Sequence, residues 1–176
     1  MQNSLELLFQ FCTENPEFAF NKGASNSTLD SLANSNQWDF PADFRAFLQA
    51  ANGETEKSEG VCGGYRFLVA DEIQEIHADW CCHADSDFVG LTSNTWCFGE
   101  SPFYDKSWIP VACLVPRELI MLGVTNDQAF VFSWSVELGA NDVYARGFTA
   151  FLDRIANELL DGDDVKLVDE LMPIAG

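Results

Sequence analysis

The stretch from Gln37 to Gly53, QWDFPADFRAFLQAANG, constrains the fold more than any other part of the chain. Pro41 suits the first turn of a helix, where its missing N–H has no intrahelical partner and its fixed φ is already helical. Phe40 precedes that start, and Phe44, Phe47, Leu48 and Ala51 follow at helical spacing to give one apolar stripe. Asp43, Arg45 and Gln49 fall away from the stripe, and Gly53 is expected to close the helix in the left-handed conformation. Such a helix cannot hide its apolar side alone, so the rest of the chain has to supply a sheet or further helices against it.

Around this segment the pattern alternates in kind. Ser4 to Thr13 predicts a short helix with Leu5, Leu8, Phe9 and Cys12 on one face, ended before Pro16. Ser27 is expected to cap a second helix, with Asp30 three residues on and Leu29 and Leu32 as its apolar side. Glu54 to Gly64 is polar and glycine-bearing and reads as a loop; Tyr65 to Ala70 reads as a strand, with Asp71 capping a helix that carries Ile73, Ile76, His77 and Trp80 on one stripe. Trp108 to Leu114 is a strand interrupted by Pro110, which suits a sheet edge or the start of a strand. Glu118 to Val124 and Gln128 to Ser135 form the clearest hairpin, with Thr125, Asn126 and Asp127 as its turn and Phe130, Phe132 and Trp134 alternating against Val131, Ser133 and Ser135. A short strand over Asp142 to Ala145 precedes a long helix marked by Phe148, Phe151, Leu152, Ile155 and Leu159, ending near Gly162. Val165 to Met172 adds a turn or two.

This order argues for an α+β single domain, a mainly antiparallel β-sheet covered by helices on one face. Three parts are expected: residues 1–27 as an N-terminal helical extension packed on the domain, 28–162 as the domain itself, and 163–176 as a C-terminal tail or short helix.

Charge narrows the function. Asp and Glu number 28 against 9 Lys and Arg, a formal net charge of -19, which repels nucleic-acid phosphates and anionic lipid and attracts basic protein surfaces. No apolar run approaches the roughly 20 residues of a membrane span, and MQNSLELLFQFC lacks the basic leader and long apolar centre of a secretory signal, so a cytoplasmic location is expected. In that reducing compartment the six cysteines, Cys12, Cys62, Cys81, Cys82, Cys97 and Cys113, are expected as free thiols.

The chemistry-bearing residues do not assemble into a catalytic pattern. His77, Cys81, Cys82 and His83 lie close together, yet C-x-x-C pairs are absent and His77 falls on an apolar stripe, where a hydrogen-bonded core histidine is the commoner outcome. A Cys–His nucleophile from the same residues would need a thiolate stabilised by positive charge, and the surroundings are acidic. Asp161-Gly162-Asp163-Asp164 does not match the ligand positions of a calcium loop, and Gly60, Gly63 and Gly64 lack the helix and Lys of a phosphate loop. No catalytic residue, metal or cofactor is expected.

What remains is surface. Glu54, Glu56 and Glu59 fall in one expected loop, and Asp85 and Asp87 in another. Glu100 and Asp105 interleave with Trp96, Phe98, Phe103 and Tyr104 between Cys81 and Lys106, where a long segment without a period is either functional or holds elements that the pattern does not show. Aromatic anchors within an acidic surround suit a site for a basic protein partner: rings supply buried area, and charges steer encounter.

The opening segment, Phe40-Pro41-Ala42-Asp43-Phe44-Arg45, then Phe47-Leu48, then Asn52-Gly53, resembles the first motif of the SUKH superfamily, the SMI/KNR-like domains. Gly64 to Ile76 is similar to that family's strand and acidic-capped helix, Trp108-Ile109-Pro110-Val111-Ala112 to its Ile-Pro strand, and Gly147 to Leu152 to its closing helix motif. The ordered set spans Thr28 to Gly162. It departs from the family in having Phe40 where Leu is usual, a helix before Thr28 and an enlarged segment between Cys81 and Trp108. The resemblance implies a non-enzymatic binding module. Many bacterial members look to be immunity proteins that neutralise polymorphic or contact-dependent toxins, often nucleases, while fungal relatives act as regulatory hubs of cell-wall synthesis and signalling. An acidic chain favours the first class, because a nuclease presents a basic cleft to phosphate. The expected partner is thus a basic toxin domain; the alternatives are a regulatory interaction module and, behind it, a small metal- or thiol-dependent enzyme.

Overall fold

A computed structural model of the chain describes residues 2–87, 92–95, 99–115, 117–125, 128–161 and 165. In chain order the elements are α1 (Gln2–Glu14), β1 (Phe20–Lys22), α2 (Asn26–Asn36), α3 (Ala42–Ala50), β2 (Ala51–Glu54), β3 (Arg66–Phe67), α4 (Ala70–Asp87), β4 (Thr92–Thr95), β5 (Gly99–Pro102), β6 (Ile109–Val115), β7 (Glu118–Thr125), β8 (Gln128–Ser135), β9 (Gly139–Arg146) and α5 (Phe148–Leu160). The main sheet is five-stranded and antiparallel, in the order β3-β6-β7-β8-β9, with two-stranded pairs β1-β2 and β4-β5 beside it. The α+β architecture read from the sequence is the architecture observed.

The helix from the opening segment does what its stripe requires. Phe44, Phe47 and Leu48 are buried, with Phe47 edge-on to Phe148 at 5.2 Å and tilted against Phe67 at 5.0 Å. Pro41 occupies the N-cap position, one residue before α3, and its carbonyl accepts the Arg45 N–H. Gly53 does not close the helix: α3 ends at Ala50, and Ala51 is already extended. Its positive φ of 65° serves β2 instead, because a Cβ there would lie 2.4 Å from the Leu68 carbonyl carbon. Asp43, which faces away from the stripe, reaches across the fold. One of its oxygens accepts the Phe44 N–H at 2.9 Å, and the other takes the Thr149 N–H and hydroxyl at 2.8 and 2.9 Å. It thereby caps α5, whose own N-cap, Gly147, has no side chain to do so.

Other helix starts also differ from expectation by local chemistry. Ser25 rather than Ser27 caps α2, its Oγ accepting the Thr28 N–H at 3.1 Å, since several neighbouring side chains could serve. At α4 the first N–H groups go not to Asp71 but to Glu72, which takes Val69 N–H at 3.1 Å, and to Asn52, which takes Ala70 N–H at 2.9 Å. Helix α1 lays Leu5 and Leu8 into the same core and joins α5 through a Ser4–Asp153 hydrogen bond.

Pro110 sits where β6 begins and beyond the two-residue partner β3, with a register irregularity following it, so its missing N–H breaks no ladder to β3. The hairpin β7–β8 pairs from Glu118↔Ser135 to Thr125↔Gln128; its link, 126–127, lies outside the described residues, as does the suggested turn within 166–172.

Both faces of the sheet are covered. On the helix side, Val111, Ile120, Leu122 and Val131 pack with Phe44, Phe47, Phe148 and Phe151. On the other, Leu119, Met121, Phe130, Phe132, Trp134 and Val143 meet Trp80, Phe103 and Trp108. This second layer is mostly aromatic: Trp108 lies edge-on to Phe132 at 4.9 Å and Trp80 edge-on to Trp134 at 5.5 Å. Trp108 also rests on Gly123, where a Cβ would come within 2.9 Å of its ring. The main helical cover lies on one face, as expected, and rings from α4 and from the connection between β5 and β6 close the other.

Candidate partner-binding surface

The described residues singled out from sequence fall mainly in two places. Glu54 leads into the 55–64 loop but is fully buried, and its carboxylate organises that loop from within. It accepts the Ser58 hydroxyl at 2.5 Å, Val61 N–H at 3.0 Å and Phe67 N–H at 2.8 Å, so three separate stretches converge on one side chain. Burial raises its pKa above the ordinary carboxylate range, against the lowering effect of these donors and of Arg66. Glu54 is therefore a scaffold residue rather than a surface one. Glu56 and Glu59 are exposed on the loop it holds. Beside them lies an open concavity of about 780 Å³, whose charged lining is Lys22, Lys57 and Arg66 against Glu54, Glu56 and Glu72. Arg66 is committed there to a two-pronged pair with Glu72 at 3.0 and 2.6 Å.

The second place is the aromatic side of the sheet. Phe103 is buried against Trp134 with ring centroids 6.1 Å apart, and its carbonyl accepts the Trp134 indole N–H at 2.9 Å. Tyr104 is half-buried, edge-on to Trp80 at 5.5 Å. These two rings cover the sheet rather than stand free of it. Asp105 is exposed and takes the Ser107 N–H at 2.8 Å. Asp85 and Asp87 lie in the last turns of α4 and Glu100 on β5 opposite Asn94; Trp96 and Phe98 lie outside the described residues.

Histidine and thiol chemistry is quiet among the described residues. His77 is buried, donates through Nε2 to the Lys106 carbonyl at 2.9 Å and meets the Trp38 ring at 4.5 Å; burial holds its pKa below the usual histidine value. Cys81 Sγ is 3.5 Å from that ring nitrogen. Burial pushes the Cys12 thiol up to about 12 and raises Cys62 and Cys113 as well, with Glu54 adding to the first two. Protonated thiols are poor nucleophiles. Among the described residues, no three His, Cys, Asp or Glu side chains are grouped to hold a metal. No described helix is long and apolar enough to cross a membrane.

A further concavity, absent from the sequence reading, lies where the helix-side face of the sheet outruns its cover. Along β8 that face carries Val131, which is buried, and then Ser133 and Ser135, which are partly exposed. Tyr144, stacked on Phe151 at 6.3 Å, marks the last contact with α5. Beyond it Tyr65, Glu118, Glu137, Leu138, Asp142 and Tyr144 line an open groove of about 500 Å³. Ser133 Oγ accepts the Asp142 N–H at 3.0 Å. Burial pushes the Tyr144 phenol up to about 12, and burial together with Glu118 raises that of Tyr65, so both rings remain neutral. The signal for this groove was the substitution of serine for apolar residues in SWS, which ends the buried face of the strand.

A family model described as the SMI1 / KNR4 family (SUKH-1) matches residues 23–154. That span contains every element from α2 to β9 and the first half of α5, and leaves α1 and β1 before it. No curated protein is significantly similar to the chain.

Proposed function

The chain belongs to the SMI1 / KNR4 family (SUKH-1), and from that premise we propose that it is a non-enzymatic binding protein of the immunity type, which neutralises a cognate toxin domain through acidic surface. The observation that carries this reading is a net charge of -19 on the family's fold. A nuclease or other phosphate-handling toxin must display a basic cleft, and a strongly negative protein is drawn to it and competes for it. The buried ionisable groups support a binding role: Glu54 and His77 are each engaged by main-chain groups, and the buried thiols are held in their protonated form. The basic partner, the cytoplasmic site of action and the organisation into extension, domain and tail belong to the same proposal.

Co-expression with a panel of basic toxic domains tests it. Rescue of growth from one such domain and not from its relatives is the expected outcome, with a stoichiometric complex whose association slows as added salt shortens the Debye length below the roughly 8 Å of physiological buffer. Lack of rescue together with lack of complex overturns the reading, as does turnover of substrate by the purified protein.

A further inference from the structure

We propose that the groove at the open end of the helix-side sheet face receives an arginine-bearing segment of the basic partner. This deepens the immunity reading and rests on it for the nature of the partner.

Among the concavities of the described residues, two carry several carboxylates and differ in their balance of charge, while a third, between α2 and α4, holds Asp71 alone and no aromatic ring. Beside the 55–64 loop, three carboxylates are matched by Lys22, Lys57 and Arg66, and the pair Arg66–Glu72 is closed within the protein. That surface has no net call on a cation. Among the described residues lining the sheet-end groove, the exposed carboxylates Glu118 and Glu137 stand beside a single cation, Arg117. The floor of this groove is the uncovered sheet, and its lining includes two tyrosines that remain neutral. A guanidinium fits such a place better than an ammonium, because it is planar, weakly hydrated, stacks on an aromatic ring and can meet a carboxylate with two parallel hydrogen bonds. Leu138, 60% exposed at the rim, offers apolar area for the aliphatic stem or a neighbouring side chain.

The test compares two double variants of equal charge change. Glu118→Lys/Glu137→Lys alters the groove and Glu56→Lys/Glu59→Lys the loop; all four positions are exposed, so the fold tolerates both. Isotope-labelled protein is titrated with a tetra-arginine and a tetra-lysine peptide and followed by amide shifts. Tetra-arginine is expected to move Tyr65, Ser133, Ser135 and Asp142, to bind more tightly than tetra-lysine, and to lose about tenfold in affinity in the groove variant but under about twofold in the loop variant. Equal losses in both variants, shifts spread over the whole acidic surface, or no preference for arginine overturn the proposal. The same variants are then co-expressed with the toxin. If the groove variant protects as well as the unaltered protein, the groove assignment fails while the immunity reading stands. If the unaltered protein binds tetra-arginine in the groove yet rescues cells from no toxin, the immunity reading fails and the site stands.

Discussion

The two faces of the central sheet are built by different means. The helix side is filled from α1, α2, α3 and α5, whose side chains repeat at helical spacing and are spread over the whole chain. The opposite side is closed by Trp80 at one turn of α4 and by Phe103 and Trp108 on the short connection between β5 and β6. Both layers exclude water, but only the first announces itself as a period. A core can therefore be assembled from isolated large rings on irregular backbone, and such rings look like exposed anchors when read as sequence.

The sharpest way to break the comparison is to truncate one ring in each layer. Phe47→Ala on the helix side is expected to cost about 3–5 kcal/mol of unfolding free energy, and Trp108→Ala on the aromatic side about the same, both read by urea denaturation. If Trp108→Ala costs less than about 0.5 kcal/mol, the aromatic side is surface after all and the layers are not equivalent. Gly123→Ala attacks the same contact from the sheet: its new methyl meets Trp108, and a loss of about 1–3 kcal/mol is expected.

This contrast also explains how far the sequence could be read. The hairpin β7–β8, the stripe of α3 and the placement of α4 and α5 follow from spacing alone, because the side chains that set the period also make the contacts. Glu54 was not legible as a buried group, since its three donors come from Ser58, Val61 and Phe67 and only the folded loop brings them to one carboxylate. Asp43 was equally opaque: a polar residue on the outer side of α3 becomes the cap of a helix that begins more than a hundred residues later. The groove at the sheet end depends on where α5 stops covering β8, which is a tertiary fact. Net charge, on which the proposed class of partner rests, does not depend on how the individual acids fold.

On the helix side, the long-range cap gives the next effect in size. Asp43→Ala leaves the Thr149 N–H without its acceptor and is expected to cost about 1–2 kcal/mol. Asp43→Asn, which keeps one acceptor oxygen, should lose less; equal losses would show that the carboxylate's charge at the α5 N-terminus matters more than the hydrogen bonds.

Acid and base then probe two buried groups with opposite signs. His77, set between the rings of Trp38 and Trp80, has its pKa lowered by folding. As pH falls below the ordinary histidine value near 6.5, the unfolded chain takes up a proton that the folded chain refuses, so stability declines over that window. His77→Gln should flatten this slope in thermal melts across pH. Glu54 has its pKa raised, so as pH rises above the ordinary carboxylate value near 4.5 the unfolded chain releases its proton first. Stability declines there on the rising side. A melting profile in which the His77 variant keeps the full acid-side slope above the carboxylate range would assign that slope to another group.

The finest distinction is between two indoles in one layer. The Trp134 N–H donates to the Phe103 carbonyl, whereas the Trp80 N–H is buried with no partner among the described residues. Replacing either ring by Phe removes similar apolar area, so the difference between the two variants isolates the polar group. Trp134→Phe strands a buried carbonyl and should cost about 1–3 kcal/mol beyond the packing loss; Trp80→Phe relieves a buried donor and should recover part of its packing loss, leaving a net change under about 1 kcal/mol. Equal penalties would mean that the Trp80 indole has a partner in the native protein. The aromatic layer would then be held by directed bonds at both of its central rings rather than by one, and its resemblance to the helix-side core would be confined to the exclusion of water.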